Sequence, residues 1–387
     1  MKRKLSLVLV VTMVLSLALT GCGGNQPQAP AAPAAPEEIK IGSVFPVTGA
    51  IATFGQSSLN GTQLAFEEIN NAGGVLGGRK LVLINEDNQS KTEETATAFQ
   101  KLITQDEVSA ILGSVASSHS LAGAPIAQAA GIPMLSPTST NPRVTEVGDF
   151  IFRACFIDPF QGQVMAKFAL ETLGVTTAAM LVEQDSDYSK GLAAYFKKAF
   201  EAGGGTIVAE EGYKSTDTDF SAILTRVKAA NPAVVFVPAY YGTVGPILRQ
   251  AQAAEIDAVF LGGDGWDSDK LFELAGDAAN GGFFSNHYSP DAGTPEVEAF
   301  LAAYQAKFNA VPDALAALAY DAAYMLAQAI EEAGSVEGVA IRDALAAINF
   351  TGVSGSVTFD ENRNPVKSAV IIEIRDGKQV YKATVNP

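Results

Sequence analysis

The chain has 387 residues, of which 48% are apolar and 18% are charged, a composition typical of a folded globular protein rather than a disordered or collagen-like one. Acidic residues outnumber basic ones by 42 to 26, so the formal net charge is −16 and no basic surface is expected for nucleic acid. A single hydrophobic core stops growing at about 250–300 residues, so this length predicts at least two lobes.

The N-terminus has the order of parts found in a secretory signal peptide. Three basic residues at positions 2–4 precede an apolar run over residues 5–19, which is too short to cross a membrane comfortably. The segment Leu19-Thr20-Gly21-Cys22 resembles a bacterial lipobox, in which the cysteine receives a diacylglyceryl group and becomes the first residue of the mature chain. We therefore predict a lipoprotein signal peptide over residues 1–21 and lipidation of Cys22; the alternative is an uncleaved anchor helix with an incidental cysteine.

A segment rich in proline and alanine follows the lipobox. Residues 22–38 show no apolar periodicity and favour an extended, semi-rigid tether. Such a tether would hold the remaining chain away from a membrane on its extracytoplasmic side.

Cysteine and histidine are scarce, with two of each in the chain. Zinc sites built on these residues are therefore not expected, and no nucleotide-binding or metalloprotease motif is present, so we predict no cofactor. Lipidation of Cys22 leaves Cys155 without an intramolecular partner. Its apolar neighbours predict a buried core residue.

Short strand patterns alternate with longer helical patterns along the body of the chain. The first series consists, strand and helix in turn, of segments 39–47, 56–71, 80–84, 93–105, 108–112 and 121–130. The second series consists of helix 160–173, strand 178–182, helix 190–202, strand 206–211, helix 220–230 and strands 234–237 and 258–261. This alternation predicts an α/β fold with two doubly wound lobes and parallel sheets.

The last part of the chain adds three Ala-rich helical patterns and three turn-rich strands. The helices are expected at 295–308, 314–333 and 339–348, and the strands at 354–360, 368–375 and 379–384. Because all of these would unbalance the second lobe, we expect some of them to return to the first.

Two hydroxyl-rich turns follow strands of the first series. Ser117 and Ser118 stand at a predicted helix start, where they can cap the helix, hold an anion at its N-terminus, or do both. A second cluster around Thr138 and Thr140 follows the next apolar run. Open α/β sheets bind ligands at such strand ends.

The second series has its own residues at strand ends. Tyr188 and Tyr240 each follow a strand, and Asp264 lies between two glycines, two residues before Trp266, the one tryptophan of the chain. Together with the hydroxyl turns, these residues predict a cleft with anion donors on one wall and a carboxylate with aromatic rings on the other. Such a cleft suits a zwitterion.

Several ordered segments resemble the periplasmic leucine/isoleucine/valine-binding proteins. The resemblance runs from about residue 39 to the C-terminus and is carried by segments 42–49, 54–55, 65–74, 113–118, 188–191 and 220–228. It implies a type 1 substrate-binding protein of an ABC importer, with two Rossmann-like lobes joined by three crossovers and no catalytic activity.

The resemblance also implies roles for the polar site residues. Ser117 and Thr140 would bind the ligand α-carboxylate, the backbone of Thr138 would reach the α-amino group, and Asp264 would be the counter-charge to the ammonium.

The remaining implied contacts concern the ligand side chain. Tyr188 and Tyr240 would close over the ligand from the second lobe, while Phe54 and Trp266 would line the side-chain pocket. The sequence departs from the family pattern in having Asp264 where a longer glutamate is common, and in placing Trp266 two residues later.

Lobe boundaries follow from the implied crossovers near 155–158, 284–287 and 360–366. The N-terminal lobe would consist of residues 39–156 and 287–362, and the C-terminal lobe of residues 157–286 and 363–387. His119 and His287 are then expected at the surface or in the hinge.

The leading hypothesis is a lipid-anchored, extracytoplasmic protein that captures leucine, isoleucine, valine or a similar amino acid and delivers it to an ABC permease. One alternative is a sensory or regulatory receptor module of the same fold. Another is a secreted hydrolase that uses Ser118 and His119, although adjacent residues form a nucleophile–base pair with difficulty and no third group is evident.

Replacing Cys22 tests the anchor. Cys22→Ser removes the thiol that would carry the lipid, so the protein should move from the membrane fraction to the soluble fraction. Fractionation followed by immunoblotting measures this, with Cys155→Ser as the control that should stay with the membrane. A Cys22→Ser protein that remains in the membrane fraction would contradict lipidation at this residue.

Overall fold

The computed structural model describes residues 37–387, which form two α/β lobes. The predicted signal peptide, Cys22 and all but the last residues of the predicted tether lie outside this range. The sheet of the first lobe has five strands in the order β2-β1-β3-β4-β5, all parallel. These strands are β1 (Ile39–Val44), β2 (Leu81–Glu86), β3 (Ala110–Gly113), β4 (Met134–Ser136) and β5 (Ile151–Arg153).

The second lobe is built on a seven-stranded sheet. Its first five strands in chain order are β6 (Thr177–Glu183), β7 (Thr206–Tyr213), β8 (Val234–Phe236), β9 (Val259–Gly262) and β10 (Phe283–Asn286). A separate hairpin follows, formed by β11 (Asn349–Gly352) and β12 (Gly355–Thr358). Two antiparallel strands, β13 (Ala369–Arg375) and β14 (Lys378–Val385), complete the order β14-β13-β10-β9-β8-β6-β7.

Helices cover the sheets in both lobes. Those of the first series are α1 (Ala52–Asn71), α2 (Thr92–Thr104), α3 (Ser117–Ala130) and α4 (Arg143–Glu146). Those of the second are α5 (Asp158–Lys167), α6 (Asp187–Ala202), α7 (Ser221–Ala230), α8 (Tyr241–Ala253) and α9 (Asp269–Ala275). The last three are α10 (Pro295–Phe308), α11 (Ala314–Ala333) and α12 (Gly338–Ala346). Within residues 37–387, no helix combines the length and apolar character needed to cross a membrane.

The late helices pack on the first lobe. Helix α11 lies along α1, and the two backbones approach so closely at Gly61 that a Cβ there would lie 2.1 Å from the carbonyl oxygen of Ala316. Only glycine permits this approach, because any side chain would push the helices apart. The first lobe thus combines β1–β5 with α1–α4, α10–α12 and the β11–β12 hairpin.

The chain passes between the lobes at residues 154–157, 287–294 and 359–368. The third passage begins on the first lobe, where the Arg363 guanidinium donates to the backbone carbonyls of Thr145 and Ile151. Cys155, in the first passage, is fully buried and free, which confirms its predicted place in the core.

Six elements of the structure are not in the predicted series, namely α4, β5, α8, α9, β10 and β11. Helix α8 contains Gly245 and Pro246, which hide its helical pattern, while α9 and β11 are short. Packing against neighbouring elements therefore outweighs weak local propensity in these segments.

Candidate functional site

A small cavity lies between the lobes. It is formed by strand ends and helix starts, which meet there because parallel strands end at the same edge of a sheet. The lining comprises Phe54, Val115, Ser117, Thr138 and Leu315 from the first lobe, and Tyr188, Tyr240, Asp264 and Gly265 from the second.

The lobes are in direct contact beside this cavity. The backbone N–H of Asp187, at the start of α6, donates to the Ser118 hydroxyl (3.0 Å), and the Asn141 amide donates to the Asp187 carbonyl (2.8 Å). At the start of α1, the Thr53 N–H donates to the Tyr241 hydroxyl (3.3 Å). The structure is therefore a closed arrangement of the two lobes.

The first-lobe wall offers hydrogen-bond donors. Helix α3 begins after Ala116 and no side chain caps it, so neither Ser117 nor Ser118 serves as its cap. The Ser117 hydroxyl instead accepts from the Asn141 N–H (3.3 Å), and the Thr138 hydroxyl donates to the Val115 carbonyl (2.9 Å). An uncapped helix N-terminus beside a serine hydroxyl is a favourable place for an anion.

A buried arginine supports the loop that carries these hydroxyls. Arg153 at the end of β5 is fully buried, and its guanidinium donates to the carbonyls of Ser139 and Asn141. These bonds fix the backbone between Thr138 and Asn141. The loop is thereby held rigidly against the cavity.

Thr140 lies behind the wall rather than in the lining. Its hydroxyl is buried beside the carboxyl group of Asp158, and its carbonyl accepts from the N–H of Asp158 (3.0 Å). Both carboxylate oxygens of Asp158 are also buried. Burial raises the pKa of Asp158 to about 8.

Asp264 is fixed on the opposite wall by three side chains. Its Oδ1 accepts from the Tyr188 hydroxyl (2.8 Å) and the Gln161 amide (2.9 Å). Its Oδ2 lies 3.1 Å from Nε2 of His287, where burial lowers the imidazole pKa. A neutral imidazole with its proton on Nε2 therefore donates to Asp264.

The Tyr188 hydroxyl remains protonated at ordinary pH. Burial, and then the negative charge of Asp264, raise its pKa well above the usual value. The ring also stacks on Tyr240, with centroids 5.0 Å apart, and Phe54 meets Tyr240 edge to face at 5.9 Å. Aromatic surfaces from both lobes thus close one side of the cavity.

Trp266 does not line the cavity. Its side chain is fully buried, its indole N–H donates to the Val237 carbonyl (2.9 Å), and its ring packs near Phe284 at 6.2 Å. The family resemblance implied that it lines the side-chain pocket, but the short helical turn over Asp264–Trp266 directs the indole into the core.

Both histidines are buried. The expected surface or hinge position is wrong for His119, whereas His287 lies in the second passage between the lobes. His119 lies 3.2 Å from the Asn88 amide, and burial lowers its pKa to about 4. Its neighbour Ser118 instead bonds to Asp187, so the pair does not form the nucleophile and base of a hydrolase.

Sequence reasoning missed five residues of the site, among them Gly265, whose backbone lies in the lining. Gln161 and His287 hold Asp264, and Val115 and Leu315 supply apolar lining. The one available signal was the position of His287 at an expected crossover. The other missed side chains lie within helical or strand patterns that give no sign of a binding role.

Comparison with known proteins gives a consistent set of relatives. A family model described as periplasmic binding protein matches residues 38–379. The leucine-, isoleucine-, valine-, threonine- and alanine-binding protein of Pseudomonas aeruginosa is 33% identical over 84% of this chain and 87% of its own length. The leucine-binding protein LivK of Thermotoga maritima is 39% identical, with a TM-score of 0.87 over 90% of this chain and 99% of that one. LivJ of Streptococcus pneumoniae, solved in complex with isoleucine, is 35% identical, with a TM-score of 0.86 over 90% of this chain and 100% of that one.

The position of Trp266 leads to a prediction that separates stability from specificity. Trp266→Phe removes one of the two donors to the Val237 carbonyl, which keeps the N–H of Ala239 (2.9 Å). The lost hydrogen bond should lower the free energy of unfolding by about 0.5–1.5 kcal/mol. The order of affinities for a panel of amino acids should not change, because the indole lies outside the cavity. Urea unfolding followed by circular dichroism and calorimetric titration measure the two effects.

Phe54→Leu is the matched variant, since Phe54 does line the cavity. It should alter the order of affinities for leucine, isoleucine, valine and alanine. A changed order in Trp266→Phe would contradict the placement of the indole.

Proposed function

The chain belongs to the periplasmic binding protein family, and we propose that it captures a branched-chain or similarly small apolar amino acid for an ABC importer. The observation that carries this proposal is Asp264, a carboxylate fixed on one wall of a closed cavity and opposed by hydroxyl groups and a helix N-terminus on the other. The P. aeruginosa relative is named for five amino acids, and the S. pneumoniae neighbour holds isoleucine, which supports the same ligand class here. Binding without catalysis accords with relatives that are solute-binding proteins.

The two walls orient a zwitterion. We assign the ligand ammonium to Asp264, whose Oδ2 has one hydrogen-bond partner, and to the backbone of Thr138. We assign the ligand carboxylate to Ser117 at the start of α3. The Thr140 hydroxyl lies behind the lining and faces the buried Asp158 carboxyl, so we assign it to the support of this wall. Charge-assisted hydrogen bonds of this kind are about twice as strong as neutral ones.

The ligand side chain would then face the apolar part of the lining. Phe54, Val115 and Leu315 present aliphatic and aromatic surface from the first lobe, and Tyr240 presents a ring from the second. No charged side chain other than Asp264 is in the described lining, which favours an uncharged ligand side chain.

Closure of the lobes would follow from binding, because the ligand has partners on both walls only when they are together. The three chain passages would act as hinges, between an N-terminal lobe at 39–156 and 287–362 and a C-terminal lobe at 157–286 and 363–387. A ligand that binds the closed form better shifts the population toward it.

The sequence before residue 37 supplies the remaining part of the proposal. A lipid on Cys22 and the tether over residues 22–38 would hold the binding protein at the extracytoplasmic face of the membrane, next to its permease. Two acyl chains are enough for stable anchoring, whereas one is marginal.

Replacement of Asp264 tests the ammonium assignment. Asp264→Asn keeps the shape of the side chain and an oxygen to accept from Tyr188, but removes the charge. Loss of one member of a desolvated charge pair costs about 2–5 kcal/mol, so calorimetric titration with leucine should show binding at least tenfold weaker. Asp257→Asn, an exposed carboxylate of the same lobe, is the control and should bind as the wild type does.

A deaminated ligand gives the complementary measurement. The wild type should bind 4-methylpentanoate, which is leucine without its amino group, far more weakly than leucine. Equal affinity for the two would mean that Asp264 does not recognise an ammonium, and the amino-acid assignment would fail.

A further inference from the structure

A second contact between the lobes lies outside the ligand cavity, at the start of α11. Asp267 of the second lobe places Oδ2 at 2.8 Å from the backbone N–H of Ala314, the first residue of that first-lobe helix. The preceding residue, Asp313, caps the same helix by accepting from the N–H of Ala316 (2.9 Å). One helix end therefore receives two carboxylates, one from each lobe.

Each carboxylate is anchored in its own lobe. Asp267 accepts from the amides of Asn286 (2.9 Å) and Gln379 (2.7 Å), both in the second lobe, whereas Asp313 accepts from the Ser57 hydroxyl (2.6 Å) of α1. Separation of the lobes would therefore carry Asp267 away from Ala314 and from Asp313. The proximity of the two acids is a property of the closed form.

The groups that face this pair do not neutralise it. The charged groups around the pair are Asp269, Lys270 and Glu273 of α9, Asp291 of the second passage and Lys378 at the start of β14. Two phenols, Tyr288 and Tyr304, also face it. Helix α1 contributes only the neutral side chains of Gln56, Ser57 and Asn60. Lys270 pairs with Glu273, and within residues 37–387 no basic side chain forms an ion pair with Asp267 or Asp313. The hydroxyl of Tyr288 is buried there without a partner in the described chain.

We propose that closing the lobes binds a proton at the Asp267–Asp313 pair, so that ligand affinity depends on pH through a site outside the ligand cavity. The inference rests on the proposed closure of the lobes around a ligand. Neither aspartate lines the cavity, so the link between the pair and the ligand is the movement of the lobes.

The electrostatics of the closed form give the direction of the effect. Burial raises the pKa of Asp267, and burial together with the charge of Asp267 raises the pKa of Asp313 to about 8. In an open form, each carboxylate would be hydrated and titrate near the usual value of about 3.9. Two buried carboxylates cannot both be ionised cheaply, so a shared proton stabilises the closed form.

The direction of the pH effect follows from the difference in bound protons between the closed and open forms. The closed form holds a proton that the open form releases, so closure is most favourable at low pH and loses this contribution as pH rises from about 4 to about 8. For one linked proton, the dissociation constant for the ligand increases by up to about tenfold per pH unit in this range.

Calorimetric titration with leucine at pH 5.5 and pH 7.5 tests the proposal. The wild type should bind at least tenfold more tightly at pH 5.5, and Asp313→Asn should reduce that ratio at least fivefold. Asp257→Asn, an exposed carboxylate of the second lobe that does not face the pair, is the control and should keep the wild-type ratio. Other acids with raised pKa values, Asp158 and Glu183, are present in every variant, so the difference between variants isolates the pair.

A measurement without ligand separates this inference from the proposed function. Small-angle scattering of the ligand-free wild type should give a smaller radius of gyration at pH 5.5 than at pH 7.5, and Asp313→Asn should show no such change. If leucine fails to bind but the radius of gyration still depends on pH and on Asp313, the proposed function fails. The proposed coupling between protonation of the pair and closure is then supported. A radius independent of pH in the wild type, or an unaltered affinity ratio in Asp313→Asn, would overturn the link.

Discussion

A carboxylate buried between two protein lobes must be compensated, and the second lobe is arranged to do this for Asp264. Tyr188 from α6, Gln161 from α5 and His287 from the end of β10 each direct a donor at it. These donors are neutral, so they satisfy hydrogen bonds without cancelling the charge. The negative charge therefore remains available for a cationic group that enters the cavity.

The first lobe has the opposite character. Its wall is made of hydroxyl groups and the uncapped start of α3, and the buried Arg153 lies behind it, bonded to carbonyl groups rather than to a carboxylate. A field that is positive on one side and negative on the other matches the two ends of an amino acid. Because the halves belong to different lobes, the proposed ligand would contact both only when the lobes are closed.

Most of the fold was predictable from hydrophobic periodicity. The α/β class and the family resemblance are confirmed, and α10 and α11 occupy the predicted ranges. The polar walls were also predictable, because serine, threonine and aspartate after strands mark the ligand edge of such sheets. Phe54, Ser117, Thr138, Tyr188, Tyr240 and Asp264 come together as neighbours in one cavity.

Other features depend on three-dimensional packing that a single sequence does not express. The direction of the Trp266 indole is decided by a short helical turn and by the Val237 carbonyl, which lies in a different strand region. Burial of His287 against Asp264 depends on how β9 and β10 lie side by side. Contacts across the cleft, such as Asp267 to Ala314, join residues far apart in the chain and depend on how the two lobes meet.

The crystal structure of the complex with leucine tests the central claim most directly. The account predicts closed lobes, with the ligand ammonium within about 3.2 Å of an Asp264 oxygen and the carboxylate at a similar distance from Ser117 and the start of α3. A leucine bound in the reverse orientation, with its carboxylate toward Asp264, or bound to one lobe with the other swung away, would contradict it.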